Sequence, residues 1–255
     1  MKENFKKDKS TGNKEIKKLL NLSYLNYTNK TYSVGDDDLP ELICRTKVYP
    51  DFLALSTEKG SFFKTRYTGV CFYQYDNVFD GRDGLFLAIY FNDKRRLKYF
   101  KDYYRGVRFV ITPDYSELNG VHGIENKHRL FRARIVGLWF VFEIGACVIP
   151  NVTYPHINDI DYCISGLEKC TVVAMSTKGH MDKKEDIETL RRDVEIIISK
   201  LNLEAIIVFD TCGNDDLTNS VFSSAVKKGI KVIIPDNTLK SRNKARVRGG
   251  GLNAS

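Results

Sequence analysis

The amino-acid sequence predicts a single α/β domain built on a mostly parallel sheet. Four segments are continuous apolar runs, which is typical of strands buried on both faces of a parallel sheet. Helical patterns alternate with these runs, and this alternation predicts strand–helix–strand units. The four runs are 147–149, 172–175, 206–209 and 232–234.

The chain of 255 residues is long enough to bury a full core without disulfides or metals. Changes in composition divide it into three parts. Residues 1–35 are predicted to be a basic N-terminal tail with a short helix, residues 36–236 the α/β domain, and residues 237–255 a basic, glycine-rich, disordered tail.

Short apolar segments predict the strands, in order, at 52–56, 70–75, 107–112, 146–149, 171–175, 205–209 and 231–234. Between them, periodic apolar positions and end signals predict helices at 93–104, 125–143, 159–167, 184–201 and 217–228. Asp93 is the expected N-cap of the first helix, and Gly145 ends the second. The segment 85–91 fits a strand or a buried helix, because periodicity cannot separate the two in a short apolar run.

Two architectures fit this order of elements. One is a complete or partial β/α barrel, and the other is an open, doubly wound sheet. The barrel-like arrangement is favoured slightly, because seven or eight strand candidates follow one another through one domain.

The positive charge of the chain lies at its two ends. The formal net charge is +8, whereas residues 31–236 alone carry 27 basic and 29 acidic side chains. Basic tails attract DNA or RNA by counterion release, although they can also serve solubility alone. The candidate nucleic-acid contacts of the C-terminal tail are Lys240, Arg242, Lys244, Arg246 and Arg248.

Composition also excludes some classes of protein. No segment approaches the roughly 20 apolar residues that span a membrane, and the N-terminus lacks the apolar core of a secretory signal. The six cysteines form no C-x-x-C pair, so they are expected to be free thiols in a reducing cytoplasm. The sequence identifies neither a metal, a cofactor nor an oligomeric state.

Polar residues directly follow several predicted strands. Ligands bind beyond the carboxyl ends of parallel strands in both architectures, so these residues are the candidate site. Asp114 and Asp210 are the candidate catalytic groups, because carboxylates there can act as acid, base or metal ligand. The alternative is that each one caps the following helix or forms a turn.

The other candidates would bind a ligand near these carboxylates. Arg132 and Arg134, on the predicted helix 125–143, could hold a phosphate or carboxylate, or could form a solvated face or ion pairs with a strand-end aspartate. The remaining candidates follow the predicted strands and are Tyr115, Ser116, Asn151, Ser176 and Thr177.

Four blocks of the sequence resemble one known family. They are Val110-Ile111-Thr112-Pro113-Asp114-Tyr115-Ser116, the arginine-rich stretch 129–137, the stretch 145–152, and Ala174-Met175-Ser176-Thr177-Lys178-Gly179. In order and spacing they are similar to the domain of unknown function DUF4417. This resemblance implies a phage, plasmid or other mobile-element context and no particular reaction.

Three functions follow as hypotheses. The first is an accessory protein of a mobile element that associates with nucleic acid or a phosphate-bearing ligand. The second is an α/β-barrel enzyme that acts on a small or nucleoside-like substrate through its strand-end carboxylates. The third is a module that binds a partner without catalysis.

Overall fold

The computed structural model describes residues 22–115, 120–154 and 157–250. Its strands are β1 (Ser33–Val34), β2 (Leu39–Pro40), β3 (Phe52–Leu55), β4 (Thr68–Cys71), β5 (Phe109–Ile111), β6 (Cys147–Ile149), β7 (Val172–Ser176), β8 (Ala205–Phe209), β9 (Lys231–Ile233) and β10 (Asp236–Asn237).

The helices lie mainly between these strands. They are α1 (Leu25–Thr28), α2 (Asp76–Phe79), α3 (Leu85–Tyr90), α4 (Lys94–Tyr103), α5 (Gly123–Trp139), α6 (Ile160–Ile164), α7 (Lys184–Lys200), α8 (Asp215–Val221), α9 (Ser223–Lys227) and α10 (Thr238–Gly250). A π-helical segment, Phe140–Ile144, continues α5.

Strands β3 to β10 are all parallel and form two sheets. The first has five strands in the order β10-β3-β4-β5-β6, and the second has three in the order β7-β8-β9. The only antiparallel pairing in the described part of the chain joins the short strands β1 and β2. The predicted α/β class with a mostly parallel sheet is therefore confirmed.

The two sheets approach each other at two seams. At the first, Asn151 forms a parallel bridge with Ala174, so the chain beyond β6 pairs with β7. At the second, β9 pairs with β8, and two residues later β10 pairs with β3. The strands thus follow one another in chain order, which is a barrel-like order, although the pairing does not form one continuous closed sheet.

Helix positions agree closely with the local signals in the sequence. Asp93 caps α4, because its side chain accepts a hydrogen bond from the backbone N–H of Arg96. Gly145 adopts the left-handed conformation, with φ of 72°, directly after the π-helical segment. The ambiguous segment 85–91 is helical, since it forms α3.

The interior is formed by the strands and the helix faces that cover them. Strand β8 is completely buried, and Trp139 at the end of α5 and Phe140 directly after it are almost fully buried as well. Gly137 allows α5 to approach the sheet closely, because a Cβ atom there would lie 3.1 Å from Thr112 Cγ2. This close approach helps to hold the chain at the end of β5, where Asp114 follows.

The structure corrects the prediction of a disordered C-terminal tail. Residues 238–250 form α10, and Asn237 caps it by accepting a hydrogen bond from the backbone N–H of Lys240 at 2.9 Å. Asn243 also donates a hydrogen bond to the carbonyl of Thr211 at 2.7 Å. Composition suggested disorder because the segment is basic and rich in glycine, but these contacts fasten its first half to the domain.

Most of the predicted N-terminal helix (14–26) lies outside the described residues, as does the rest of the chain before residue 22. In the parts that are described, no helix is both long and apolar enough to cross a bilayer.

Candidate active site at the ends of the strands

The carboxyl ends of the parallel strands converge on one mouth, which we define as residues 72–76, 112–115, 150–154, 176–180 and 210–212. Tyr73 lies just beyond β4, and Phe209 ends β8. Their rings stack with centroids 4.6 Å apart. Because these strands are well separated in strand order, the contact shows that their ends meet.

Asp114 is held in this mouth by an amide and not by a cation. Asn151 Nδ2 donates a hydrogen bond to Asp114 Oδ1 at 2.8 Å. The hydroxyl of Tyr73 donates to Asn151 Oδ1 at 2.7 Å, which fixes the amide orientation. Among the described residues, none donates a hydrogen bond to the second oxygen of Asp114.

Desolvation by burial raises the pKa of Asp114 from its ordinary value of 3.8 to about 6. The charge of Lys178 and the hydrogen bond from Asn151 oppose this rise, and the charge of Asp76 adds to it. A carboxyl group with a pKa near 6 can both accept and release a proton close to neutral pH.

Lys178 supplies a positive charge to the same mouth. It lies two residues after β7, and its Nζ donates a hydrogen bond to the carbonyl of Tyr73 at 2.8 Å. Its Nζ also lies 5.5 Å from the ring centroid of Tyr75, a side chain that is 75% exposed. Lys178 is not among the candidates predicted from the sequence, although it follows a strand in the same way as they do.

A cavity of about 70 Å³ opens beside Asp114. At its far wall, the hydroxyl of Tyr154 donates to Asp193 Oδ1 at 2.6 Å, and burial raises the pKa of Asp193. The polar residues that line the cavity are Asp114, Asn151, Thr153, Tyr154, Ser176, Lys178, His180 and Asp193.

Asp210, the second candidate catalytic group, has a different environment. Its side chain is completely buried. Its Oδ1 accepts hydrogen bonds from the hydroxyls of Thr177 and Thr218, at 2.9 and 3.1 Å, and from the backbone N–H of Cys212 at 2.9 Å. Its Oδ2 lies 3.0 Å from Lys240 Nζ. Asp210 therefore joins β8 to α10 and does not line the cavity.

Two of the candidate nucleic-acid contacts take part in this junction. Lys240 Nζ also lies 2.9 Å from Asp215 Oδ1, and Lys244 pairs with Asp215 Oδ2. Burial lowers the pKa of Lys240, but its hydrogen bonds to Asp215 and Asp210 outweigh that effect and raise it. Arg242 is exposed, whereas the side chains of Arg246 and Arg248 lie outside the described part.

Tyr115 and Arg132 belong to a third cluster, centred on the buried carboxylate of Asp80. The Tyr115 hydroxyl donates to Asp80 Oδ2, and Arg132 Nη2 lies 2.9 Å from the same oxygen. The Arg132 guanidinium also lies 4.2 Å from the Tyr115 ring centroid. Arg132 thus forms an ion pair with an aspartate, but Asp80 ends helix α2 and is not one of the strand-end aspartates that the sequence analysis considered.

Arg134 is buried and turned toward α6. Its Nη2 donates to the carbonyls of Cys163 and Ser165, both at 3.1 Å, so it caps the end of that helix. Burial lowers its pKa to about 10. Ser116 lies outside the described residues. Of the sequence candidates, the cavity thus gathers Asp114, Asn151 and Ser176, while Thr177 binds Asp210.

Within residues 22–115, 120–154 and 157–250, no group of three or more histidine, cysteine, aspartate or glutamate side chains could hold a metal ion. Nearly all the polar cavity residues that the sequence analysis missed, namely Thr153, Tyr154, Lys178 and His180, follow a strand within five residues. Asp193 is on α7, where nothing in the local sequence points to the cavity.

A family model for DUF4417, a domain of unknown function, matches residues 35–224, which is most of the chain and spans the whole mouth. The chain belongs to the DUF4417 family. No curated protein and no solved structure matches it. The site of this DUF4417 domain must therefore be interpreted from its own geometry.

Proposed function

We propose that this DUF4417 domain is an enzyme that acts on a small, polar, nucleoside-like substrate at the strand-end mouth, with Asp114 transferring a proton. The observation that carries the proposal is the environment of Asp114. Its pKa is raised to about 6, it has one free oxygen among its described contacts, and it borders a polar cavity. Strongly perturbed pKa values of this kind cluster at functional sites.

Neighbouring groups supply the other requirements of general acid–base catalysis. Asn151 orients Asp114, and Tyr73 orients Asn151 in turn. Lys178 would stabilise negative charge that develops on the substrate as its proton leaves. The positions of these groups are supported by packing, because Tyr73 is buried against Phe209.

The substrate class follows from the size and chemistry of the mouth. A cavity of about 70 Å³ takes only part of a molecule, so the rest of the substrate would lie at the rim. There the exposed ring of Tyr75 offers a flat apolar face next to Lys178. A planar ring attached to a polar or anionic group, as in a nucleoside or nucleotide, fits both features.

The mobile-element context stays a prediction from the family resemblance. Association of the C-terminal segment with nucleic acid is less favoured than it was from sequence alone. Lys240 and Lys244 already carry ion pairs to aspartates of the same chain, so their charges are largely compensated.

A ligand screen tests the proposal. Nucleosides, nucleotides and small carboxylates are added one at a time to purified protein, and thermal unfolding is followed. A ligand at 100 times its Kd stabilises the fold by about 2.7 kcal/mol. We expect a stabilising ligand for the wild type whose effect disappears in Asp114→Asn.

The matched control is Asp236→Asn, which changes an exposed aspartate at the start of β10 that does not line the cavity. It should respond to the ligand as the wild type does. The proposal fails if no such compound stabilises the wild type, or if Asp114→Asn responds equally well.

A further inference from the structure

A second concave surface lies at the opposite end of the parallel strands. Two adjoining cavities of about 440 and 680 Å³ open there and share Arg66, Gly106 and Arg108. Their walls include Thr68 and Cys147, the first residues of β4 and β6. Because these are the amino ends of the strands, this surface is separate from the mouth. We call it the basic groove, formed by residues 62–68, 106–109 and 144–147 together with Thr46 and Val48.

The cations of the basic groove are not neutralised by the protein. Lys64, Arg66 and Arg108 are exposed, and none of them forms an ion pair with a carboxylate in the described part of the chain. Asp51, the carboxylate next to this surface, accepts a hydrogen bond from Thr65. By contrast, Arg129 and Arg132 near the mouth are both paired with aspartates.

Aromatic rings are interleaved with these cations. The guanidinium groups of Arg66 and Arg108 lie 5.6 and 5.8 Å from the ring centroid of Tyr67. Both distances are within the range of a cation–π interaction. Phe63 is 63% exposed beside Gly106, which is unusual for so large an apolar side chain. Unpaired cations beside exposed rings are the combination that binds single-stranded nucleic acid, since phosphates pair with the cations and bases stack on the rings.

We propose that the basic groove binds single-stranded nucleic acid through Lys64, Arg66, Arg108 and Phe63. The exposed Phe63 favours this occupant over a duplex, whose bases are already stacked, and over an acidic peptide, which offers no planar bases. The first 21 residues of the chain are a poor occupant of the basic groove, because they contain seven lysines and only three acidic residues and so carry the same sign of charge as the groove.

Fluorescence anisotropy with a labelled 12-nucleotide oligo(dT) tests this inference on the full chain across a range of NaCl concentrations. The charge variant is Arg66→Glu/Arg108→Glu, and we expect it to weaken binding at least tenfold. It should also reduce the steepness of the salt dependence by about 1.4, because each phosphate contact on a single strand contributes about 0.7. The control is Arg95→Glu/Lys98→Glu, which changes charge equally at two exposed residues of α4 outside the groove.

Phe63→Ala separates stacking from charge. We expect it to weaken binding roughly tenfold while leaving the salt dependence unchanged, because stacking releases no counterions. Phe63 is exposed, so this variant should fold normally, and its thermal unfolding provides the check.

Three results would overturn the inference. The first is wild-type affinity in Arg66→Glu/Arg108→Glu, and the second is an equal loss in the Arg95→Glu/Lys98→Glu control. The third is binding of a duplex or of a polyglutamate peptide as tightly as oligo(dT), since either would show a general attraction of polyanions and no recognition of exposed bases.

Discussion

Asp114 and Asp210 occupy equivalent places in the fold, yet their surroundings differ. Each follows a buried parallel strand, β5 in one case and β8 in the other. Asp210 accepts three hydrogen bonds on one oxygen and faces Lys240 with the other. Asp114 accepts one hydrogen bond from a described residue, the amide of Asn151.

This difference separates a structural carboxylate from a reactive one. A buried carboxylate such as Asp210, with three donors on one oxygen and a cation beside the other, has little left to offer a ligand. A buried carboxylate with a single donor, such as Asp114, is poorly compensated for its desolvation when it ionises, so its pKa rises toward neutrality. The mouth therefore contains one aspartate that holds the fold together and one that is suited to proton transfer.

Removal of the Asp210 side chain should give the largest effect on stability. Asp210→Ala leaves Lys240 buried next to Asp215 alone and removes the acceptor of three hydrogen bonds. Breaking a buried ion pair in this way costs about 3–5 kcal/mol. Urea unfolding at pH 7 measures the loss, and the exposed Asp236→Ala should cost less than about 0.5 kcal/mol.

The assignment of Asp210 as a structural group would be wrong if Asp210→Ala lost less than about 1 kcal/mol. A second variant, Asp210→Asn/Lys240→Met, removes both charges together. It should recover part of the stability, because no buried cation is left with only the half-exposed Asp215 as its partner.

Asp114→Asn should change the free energy of unfolding in the opposite direction to Asp210→Ala and stabilise the protein at neutral pH. Because the folded protein holds a proton on Asp114 up to a pKa of about 6, whereas the unfolded chain releases it near 3.8, wild-type stability falls as the pH rises from about 4 to 6. Above that range, ionisation of Asp114 lowers the free energy of unfolding by about 2 kcal/mol. Each pKa unit corresponds to about 1.4 kcal/mol, and the partly open cavity reduces the total through solvent screening.

Unfolding free energies of the wild type and Asp114→Asn are therefore compared at pH 4, 5, 6 and 7. The variant should become the more stable of the two with increasing pH, and the difference should level off above pH 6.5. Parallel curves for the two proteins would contradict the raised pKa and with it the proposed role of Asp114.

Lys178→Met should produce the smallest effect. The charge of Lys178 lowers the pKa of Asp114, so its removal should raise that pKa, and only slightly, because Lys178 is exposed and its charge is screened by solvent. A pH titration of the carboxyl carbon of Asp114 by NMR measures the change. The control is Lys183→Met, which changes an exposed lysine of the same loop that does not line the cavity. It should leave the pKa of Asp114 unchanged.

Much of the fold could be predicted because its signals are local. The continuous apolar run 205–209 predicted strand β8 with its correct ends, and the Asp93 cap predicted the start of α4. The segment 85–91 could not be assigned, because a short apolar run fits either a strand or a helix until its packing partners are known.

The contents of the site were less predictable. The rule that strand-end residues gather at one mouth selected Asp114, Asn151 and Ser176 as candidates, and all three line one cavity. The same rule could not separate Asp114 from Asp210, because the number of donors around each depends on residues far away in the chain. The basic groove was missed for the same reason, since Arg66 and Arg108 meet only when β4 and β5 pair.

By itself, the sequence determined most of the helices and strands of the domain, that the main strands are buried and parallel, and which polar residues follow them. These properties depend on neighbouring residues and on the period of their apolar side chains. Only the tertiary structure decided that Lys240 neutralises Asp210 while Asp114 stays without a cation in hydrogen-bonding contact. The reason is that a pKa is set by burial and by the sum of nearby charges and donors, and that sum exists only once distant strands have been brought together.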